Sequence, residues 1–247
     1  MLIEERQNAI LELLHKNPDI TVKEISKLLF VSEPTVRRDF TELHKRKLIT
    51  KVYGGAILNQ GTADREIPFL LRENEGSTAK SQIGRLAARL VMDGMVVMLD
   101  GSTSAYRLVP YLADKKDIIV VTSGAKTAVA LAEANIRTFS TGGKMIINSF
   151  SYVGESAEKF VEKINADILF FSCHGLDTDG AMTDRSIEEA NLRRVMFSRC
   201  KKKVLLCSSS KIGKCYFYNM GNVSEIDEII SEKPLPTEIE EIMASKK

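Results

Sequence analysis

Residues 21–58 decide the fold of the N-terminal part of the chain and read TVKEISKLLFVSEPTVRRDFTELHKRKLITKVYGGAIL. Thr21 is suited to cap a short helix, because its hydroxyl can accept a backbone N–H of the first turn. Apolar residues then recur at helical spacing, namely Val22, Ile25, Leu28 and Leu29. Ser32 is suited to cap a second helix, and Pro34 stands in its first turn, where a missing N–H is tolerated. Two capped helices joined by a short turn predict a helix-turn-helix.

The second helix, from about Glu33, is predicted to turn its apolar residues inward and its polar residues outward. The inward residues are Val36, Phe40, Leu43 and His44. The outward residues are Thr35, Arg37, Arg38, Lys45 and Arg46. Leu48–Tyr53 then reads as a strand, Gly54–Gly55 as a tight turn and Ala56–Leu58 as a returning strand. The whole stretch predicts a winged helix-turn-helix whose second helix reads DNA.

Charge in this region supports contact with nucleic acid. Between Arg37 and Lys51 six basic residues stand against two acidic ones, a local balance of +4. Such a patch is typical of phosphate contact, and it adds Lys45 and Lys51 to the predicted DNA-binding residues. The predicted wing adds Tyr53 and Gly54. On charge alone, a basic helix face that is merely solvated remains the alternative. Residues 59–247 hold 25 basic and 25 acidic residues and give no such indication.

Two motifs resemble the signature of the DeoR family of bacterial transcriptional regulators. They are VSEPTVRRDF at Val31–Phe40 and the run Tyr53-Gly54-Gly55-Ala56. The resemblance implies a DNA-reading winged helix. The residues that it implies at the DNA are Ser32, Thr35, Arg37 and Arg38. Tyr53 stands where the family usually has His, and Lys47 stands where a Gly commonly precedes the wing.

Length and composition limit the possible classes of protein. At 247 residues the chain is long enough for a small and a larger domain, each with its own core. No apolar run approaches the ~20 residues of a membrane span, and the N-terminus does not read as a secretory signal, so we expect a cytoplasmic protein without membrane contact. Four cysteines lack metal-type spacing and are expected to be reduced, namely Cys173, Cys200, Cys207 and Cys215. We expect neither a metal nor a cofactor.

The chain is predicted to consist of a DNA-binding domain (1–58), a linker (59–76) and an α/β domain (77–247). In the third part, strands alternate with helices, and the strand-like runs are apolar on both faces. These runs are Met95–Leu99, Ile118–Thr122, Ile168–Phe171 and Val204–Cys207. This pattern predicts a doubly wound, mostly parallel sheet. Lys201–Lys203 is expected to cap a helix C-terminus before a strand.

Several loops that follow predicted strands have the composition of an anion site. Ligands of parallel sheets bind at the carboxyl ends of strands. Asp100–Ser104 offers a glycine, three hydroxyls and the N–H groups of a helix start, and Thr122–Gly124 and Thr141–Gly143 repeat this pattern. Ser208–Lys211 adds a cation suited to phosphate. For any one loop, an ordinary structural turn remains the alternative. The predicted effector-binding residues are Asp100, Gly101, Ser102, Thr103, Ser104, Ser123, Gly142 and Lys211.

The resemblance to the DeoR family extends into this domain. It implies a fold similar to sugar-phosphate isomerases, and it places Asp100–Ser104 and Lys211 at a sugar-phosphate effector. Ser208 stands where family members commonly have Asp in an Asp-x-x-Lys run.

Other polar residues are weaker candidates. His174 follows a buried strand and is interpreted as a hydrogen-bonded loop histidine, with a general base as the alternative. Asp177, Asp179 and Asp184 resemble paired carboxylates, but they lie in a segment with ordinary turn composition. Glu155 is a further residue that can face the ligand pocket.

These observations predict a transcriptional regulator, a repressor of a carbohydrate operon, that binds operator DNA and a phosphorylated sugar and is not an enzyme. Because one winged helix buries little DNA surface, we expect a homo-oligomer, either a dimer or a tetramer. Two alternatives stay open. The first is a sugar-phosphate isomerase or transferase with an appended DNA-binding domain, and the second is an architectural DNA-binding module whose larger domain only oligomerises.

Overall fold

A computed structural model describes residues 3–46, 48–58 and 68–245, apart from the side chains of six residues inside the first helix. Lys47 and residues 59–67 of the predicted linker lie outside the described residues. The chain separates into two compact units, Met1–Glu75 and Gly76–Lys247. The finer domain limits given above remain a prediction.

The described part of the first unit contains four helices and a hairpin. Its elements are α1 (Ile3–Lys16), α2 (Val22–Leu28), α3 (Glu33–Lys45), β1 (Ile49–Val52), β2 (Gly55–Leu58) and α4 (Phe69–Asn74). The predicted caps are confirmed. Thr21 forms a capping box with Glu24 at the start of α2, and the Ser32 hydroxyl accepts the backbone N–H of Thr35 at the start of α3. β1 and β2 pair antiparallel as the predicted wing, and α4, within the stretch predicted as a linker, packs against α1.

Side chains from α1, α2, α3 and the hairpin share one apolar core. Its largest fully buried members are Ile10, Leu11, Leu14, Ile25, Leu43 and Ile49. Two predictions of side-chain orientation are wrong. Leu28, predicted inward, is 55% exposed because it lies at the last position of α2. His44, also predicted inward, is exposed, and its Nδ1 lies 2.9 Å from the carbonyl oxygen of Ile49, so a backbone partner satisfies the ring without burial.

The second unit alternates strands and helices. Its elements in the described residues are α5 (Ser77–Ala87), β3 (Val96–Leu99), α6 (Thr103–Tyr106), β4 (Ile119–Thr122), α7 (Ala125–Glu133), β5 (Arg137–Ser140), β6 (Lys144–Ile146), β7 (Ser151–Val153), α8 (Glu155–Val161), β8 (Ala166–Phe171), β9 (Gly175–Leu176), β10 (Ala181–Asp184), α9 (Ile187–Ser198), β11 (Cys200–Leu206), β12 (Tyr218–Asn222), β13 (Glu228–Ile230) and α10 (Thr237–Ala244). Short 3₁₀ turns join several of them.

Six of these strands form one sheet in the order β13-β11-β8-β3-β4-β5, and each neighbouring pair is parallel. The strands that follow β3 in the chain go first to one side of it (β4, β5) and then to the other (β8, β11, β13). The strand order therefore reverses between β3 and β8. In open α/β sheets, ligands bind in the crevice beside such a reversal, at the carboxyl ends of the strands.

Apolar clusters cover both faces of the sheet. Within β3, Val97 and Leu99 belong to one cluster and Met98 to the other. Within β8, Phe170 and Phe171 divide in the same way. Successive side chains of a strand point to opposite faces, so both faces of these strands are buried, as in doubly wound sheets. The predicted fold class is confirmed.

Two smaller antiparallel sheets lie beside the main one, β12-β10-β9 and the hairpin β6-β7. The hairpin is tied to the loop after β4. The N–H of Tyr152 donates to the carbonyl oxygen of Ser123 at 2.7 Å, and the N–H of Ala125 donates to that of Phe150 at 2.8 Å. These bonds hold the neighbouring Ser151 against the carboxyl end of β4.

Lys201–Lys203 lies inside β11 and does not cap a helix, which corrects the prediction made for these residues. Lys201 forms an ion pair with Asp167 at 2.8 Å and Lys202 forms one with Glu228 at 2.7 Å. Asp167 lies in the neighbouring strand β8 and Glu228 in the neighbouring strand β13, so these lysines neutralise carboxylates across the sheet. This run of lysines near a helix end therefore forms ion pairs with neighbouring strands.

Candidate DNA-binding surface and effector site

The recognition helix α3 presents its predicted DNA contacts at the surface of the first unit. Ser32, Arg37 and Arg38 are exposed and Thr35 is half-buried. The hydroxyls of Ser32 and Thr35 lie 2.8 Å apart at the N-terminus of α3, the end of a recognition helix whose residues contact base edges. Arg37 lies 3.7 Å from Glu33 in an exposed pair, which water screens. Both guanidinium groups are therefore available to a phosphate backbone.

The wing adds the remaining predicted DNA contacts. Tyr53 is fully exposed at its tip, and Gly54 has a φ of 80°, in the left-handed region that favours glycine. The carbonyl oxygen of Gly54 accepts the N–H of Val22 at 3.0 Å, so the tip of the wing is fixed to the start of α2. Lys45 and Lys51 are exposed on α3 and β1.

A buried ion pair, which the sequence did not predict, orients α3. Arg6 Nε of α1 donates to Asp39 Oδ2 at 2.6 Å, and Arg6 Nη2 donates to the other carboxylate oxygen at 3.1 Å. The hydrogen bond to Asp39 raises the pKa of Arg6, against the effect of burial. Asp39 directly follows the exposed Arg37 and Arg38, so this tripeptide turns two cations outward and one carboxylate inward.

In the second unit, Asp100 stands at the carboxyl end of β3, beside the strand-order reversal, and is 1% exposed. Its carboxylate accepts the N–H of Ser102 and that of Ser172, each at 3.0 Å. It also accepts Arg193 Nε at 2.8 Å. Asp100 therefore links the loop after β3 to the loop after β8 by hydrogen bonds across the crevice.

The loop after β3 approaches its neighbours closely. A Cβ atom on Gly101 would lie 1.9 Å from the hydroxyl oxygen of Ser151, so only glycine fits. The hydroxyl of Ser102 accepts the N–H of Ala105 and caps α6. Thr103 and Ser104 are buried. The predicted anion loop is thus a compact turn whose hydroxyl side chains are buried.

Arg193 on α9 organises the site, and the sequence analysis did not single it out. It is 4% exposed and forms ion pairs with Asp100, Asp184 and Glu189, the last at 3.8 Å. Burial opposes its charge, but the three carboxylates outweigh burial and raise the pKa of Arg193. In the same way, burial opposes ionisation of Asp184, but Arg193 and His174 hold its pKa well below its ordinary value.

Lys211 reaches the crevice from the loop after β11. Its Nζ donates to the hydroxyl oxygen of Ser172 at 2.7 Å, and that hydroxyl donates to the carbonyl oxygen of Leu206 at 2.6 Å. Because Ser172 N also binds Asp100, the structure brings the predicted residues Asp100 and Lys211 to one place. Among the described residues, no carboxylate lies within ion-pair distance of Lys211. Its charge is therefore uncompensated.

The loop that contains Ser208 is bound by a carboxylate from another part of the chain. Ser208 and Ser210 share a hydrogen bond of 3.0 Å between their hydroxyls. Glu232, just after β13, accepts the N–H of Ser209 at 3.1 Å and its hydroxyl at 2.5 Å. Burial opposes ionisation of Glu232, but these hydrogen bonds lower its pKa. Glu232 thus fixes the turn that carries Lys211.

Ser123 and Gly142 occupy different places. Ser123 is buried and lines a small cavity together with Gly101, Ser151 and Arg193. Gly142 follows the edge strand β5 with a φ of 64°, and it is not among the residues that line this cavity. Ser151 was missed because it comes from a hairpin with no strand-end loop of its own.

Two family models match the chain. The model for the DeoR-like helix-turn-helix domain matches residues 6–62, and the model for the DeoR C terminal sensor domain matches residues 75–233. The chain belongs to the DeoR family. The resemblance found in the sequence is confirmed, and the protein is a transcriptional regulator with a DNA-binding and a sensor domain.

Named relatives match this DeoR-family chain along most of its length. The HTH-type transcriptional regulator GolR from Listeria innocua is 34% identical over 232 residues, 94% of this chain and 91% of that protein. The HTH-type transcriptional regulator GlpR from Haloferax volcanii is 30% identical over 245 residues, 99% of this chain and 96% of that protein. The glycerol-3-phosphate regulon repressor of Escherichia coli is 24% identical over 240 residues, 97% of this chain and 94% of that protein.

Among solved structures, the chain is similar to ribose 5-phosphate isomerase A from Methanocaldococcus jannaschii. The TM-score is 0.43 at 14% identity, over 56% of this chain and 55% of that one. This likeness concerns the fold alone.

The weaker candidates take structural roles in the DeoR-family sensor domain. His174 Nδ1 lies 2.9 Å from Asp184 Oδ1. Asp177 and Asp179 accept backbone N–H groups of their own turn. Glu155 is exposed and pairs with a neighbouring lysine on α8. The described residues contain no group of His, Cys, Asp or Glu that could hold a metal ion, and none of their helices is long and apolar enough to cross a membrane.

Proposed function

We propose that this DeoR-family regulator is a cytoplasmic repressor of a carbohydrate operon and that a phosphorylated sugar modulates its binding to operator DNA. The observation that carries the proposal is the position of Lys211. Its uncompensated ammonium group stands at the strand-order reversal beside Ser172 and the glycine-containing loop after β3. A half-buried ammonium group without a carboxylate partner among the described residues suits a phosphate group.

One relative supports both the chemical class of the ligand and the sign of regulation. It is named as a glycerol-3-phosphate regulon repressor. That name joins a phosphorylated polyol to repression, and we extend the same chemistry to this chain.

The DNA contacts in this proposal are those of the first unit. They are Ser32, Thr35, Arg37, Arg38, Lys45, Lys51, Tyr53 and Gly54. One winged helix covers a short half-site, so a homo-oligomer would place two or more copies on repeated half-sites. Ligand binding would shift operator affinity by a coupling free energy of typically ~1–3 kcal/mol.

The experiment that tests the proposal measures the thermal stability of the protein with a panel of phosphorylated sugars and polyols. A ligand at 100 times its dissociation constant stabilises the folded state by about 2.7 kcal/mol. A stabilising compound is then tested for release of operator DNA in a mobility-shift assay. If no compound in the panel stabilises the protein, the proposed ligand class is wrong.

Lys211→Ala is expected to abolish the stabilisation by any compound that stabilises the wild-type protein, because the phosphate loses its cation. The matched control is Lys214→Ala, which removes an exposed lysine three residues further along the same loop. The control is expected to respond as the wild type does. An unchanged response in Lys211→Ala would remove this lysine from the effector site.

A further inference from the structure

A small cavity in the sensor domain is lined by residues from four parts of the chain. Gly101 comes from the loop after β3, Ser123 from the loop after β4, Ser151 from the β6-β7 hairpin, and Glu189 and Arg193 from α9. The cavity measures about 10 Å³. This is roughly the space that one water-sized group fills. The cavity therefore admits one oxygen of a ligand and not a whole phosphate group.

Two buried oxygen atoms at this cavity have no hydrogen-bond partner among the described residues. One is the hydroxyl oxygen of Ser151, a residue that is 1% exposed. The other is Oε2 of Glu189, which lies 3.8 Å from Arg193 Nη2, beyond hydrogen-bond length. Buried polar atoms are nearly always hydrogen-bonded in folded proteins. Two unsatisfied atoms on the wall of one cavity therefore indicate a group that binds between them.

The hydrogen-bonding capacity of the two atoms indicates which chemical group binds between them. A carboxylate oxygen only accepts hydrogen bonds, whereas a serine hydroxyl donates one and accepts others. A ligand hydroxyl matches both, because it donates to Glu189 and accepts from Ser151. A phosphate oxygen matches poorly, because Glu189 repels its charge and Arg193 is already compensated by Asp100, Asp184 and Glu189.

We propose that Ser151 and Glu189 form a subsite that recognises one hydroxyl of the sugar or polyol chain of the effector. This inference rests on the proposed function, in which Lys211 holds the phosphate group. The ligand then lies with its phosphate at Lys211, outside the cavity, and one hydroxyl inside it. The subsite distinguishes a sugar or polyol phosphate from inorganic phosphate.

Ser151→Ala and Glu189→Gln test the subsite on the full-length protein. The probes are inorganic phosphate, glycerol 3-phosphate, ribose 5-phosphate and fructose 6-phosphate, with dissociation constants from isothermal titration calorimetry and competition. For the ester that the wild type binds, both variants are expected to raise the dissociation constant at least 10-fold. The dissociation constant for inorganic phosphate is expected to stay within twofold, because its contacts at Lys211 remain.

Ser149→Ala is the matched control. Ser149 lies two residues before Ser151, is also fully buried, and its hydroxyl also has no hydrogen-bond partner among the described residues, yet it does not line the cavity. Removal of an unsatisfied hydroxyl does not deprive the fold of a bond, so the melting temperatures of Ser149→Ala and Ser151→Ala without ligand are expected to match that of the wild type. Ser149→Ala is expected to bind the ester normally.

The outcomes separate this inference from the proposed function. If the wild type binds none of the three esters, the phosphate-ester sensor itself is wrong. If the wild type binds an ester and Ser151→Ala and Glu189→Gln bind it equally well, the subsite is wrong and the sensor stands. If both variants lose inorganic phosphate as strongly as the ester, the cavity holds phosphate and the assignment to a hydroxyl is overturned.

Discussion

The two units of the chain use polar side chains in opposite ways. In the first unit the predicted DNA contacts are exposed and bonded locally, as in the pair between Arg37 and Glu33 and the cap formed by Ser32. In the second unit most predicted effector residues are buried, and Asp100 and Lys211 are bonded to distant parts of the chain, as in the pair between Asp100 and Arg193, 93 residues apart. A substitution on the DNA surface should therefore change binding alone, whereas one in the effector site should change stability as well.

The largest effect is expected for Arg193→Met. This change leaves Asp100, Asp184 and Glu189 buried without their shared cation, and removal of one partner from a buried ion pair costs about 3–5 kcal/mol. Urea denaturation followed by circular dichroism should show the loss in the transition of the second unit. Arg194→Met, which removes the exposed neighbour that pairs with Glu225, should cost less than about 1 kcal/mol. Equal losses for the two variants would contradict the network described above.

Asp184 should make the stability of the second unit depend on pH. Burial opposes its ionisation, but Arg193 and His174 hold the pKa of Asp184 in the folded state well below the value of about 3.9 expected in the unfolded chain. Its stabilising contribution is therefore complete above about pH 5 and is lost as the pH falls further. Between pH 5 and pH 3, the unfolding free energy of Asp184→Asn should fall less steeply than that of the wild type.

Asp114→Asn is the control for this pH dependence, since Asp114 is exposed. Urea titrations at pH 5, 4 and 3 should give Asp114→Asn the wild-type slope. A wild-type slope in Asp184→Asn as well would exclude Asp184 as the source of the acid sensitivity.

Arg6→Ala should have an intermediate effect, confined to the first unit. It leaves the carboxylate of Asp39 buried without its cation, but Arg6 is 15% exposed, so we expect a loss of about 1–3 kcal/mol. The orientation of α3 depends on this pair, so operator affinity should fall too. Calorimetry should show a lower melting temperature for the first unit and an unchanged one for the second. A fall in operator affinity without loss of stability would instead make Arg6 a direct DNA contact.

The smallest effect on stability is expected for Arg38→Ala, because the side chain is exposed. Its loss should weaken operator binding about 10-fold, within the ~1–3 kcal/mol typical of a DNA-contacting arginine. Both unfolding transitions should stay within about 0.5 kcal/mol of the wild type. Lys163→Ala, an exposed lysine of the second unit, serves as the control in the same mobility-shift assay. Equal affinity of the two variants would remove Arg38 from the DNA surface.

The sequence predicted best what depends on short distances along the chain. The caps formed by Thr21 and Ser32, the hairpin turn at Gly54 and the apolar parallel strands all follow from neighbouring residues. The loops at the carboxyl ends of β3 and β11 also lie close together as predicted, because parallel topology brings strand ends to one edge of the sheet. Asp100 and Lys211 are joined through Ser172, which directly follows β8, the strand between β3 and β11.

What the sequence did not predict depends on contacts between distant parts of the chain. Arg193 reads as one charged residue of an ordinary helix, and nothing near it shows that three carboxylates surround it. Ser151 reads as a hairpin residue, and its place at the cavity depends on the hairpin pairing with the loop after β4. Lys201–Lys203 were misassigned because a charge run gives no sign of whether its partners lie along the helix or across the sheet.

The bond between Lys211 and Ser172 has a consequence for protein synthesis. The first unit ends at Glu75, and the described members of its core and its Arg6–Asp39 pair all lie before that residue. At a translation rate of about 5–20 residues per second, Lys211 leaves the ribosome roughly 7–27 s after Glu75. During that interval the nascent chain carries a folded DNA-reading head whose ligand control does not yet exist. We therefore expect any DNA binding by chains of this intermediate length to be independent of the metabolite.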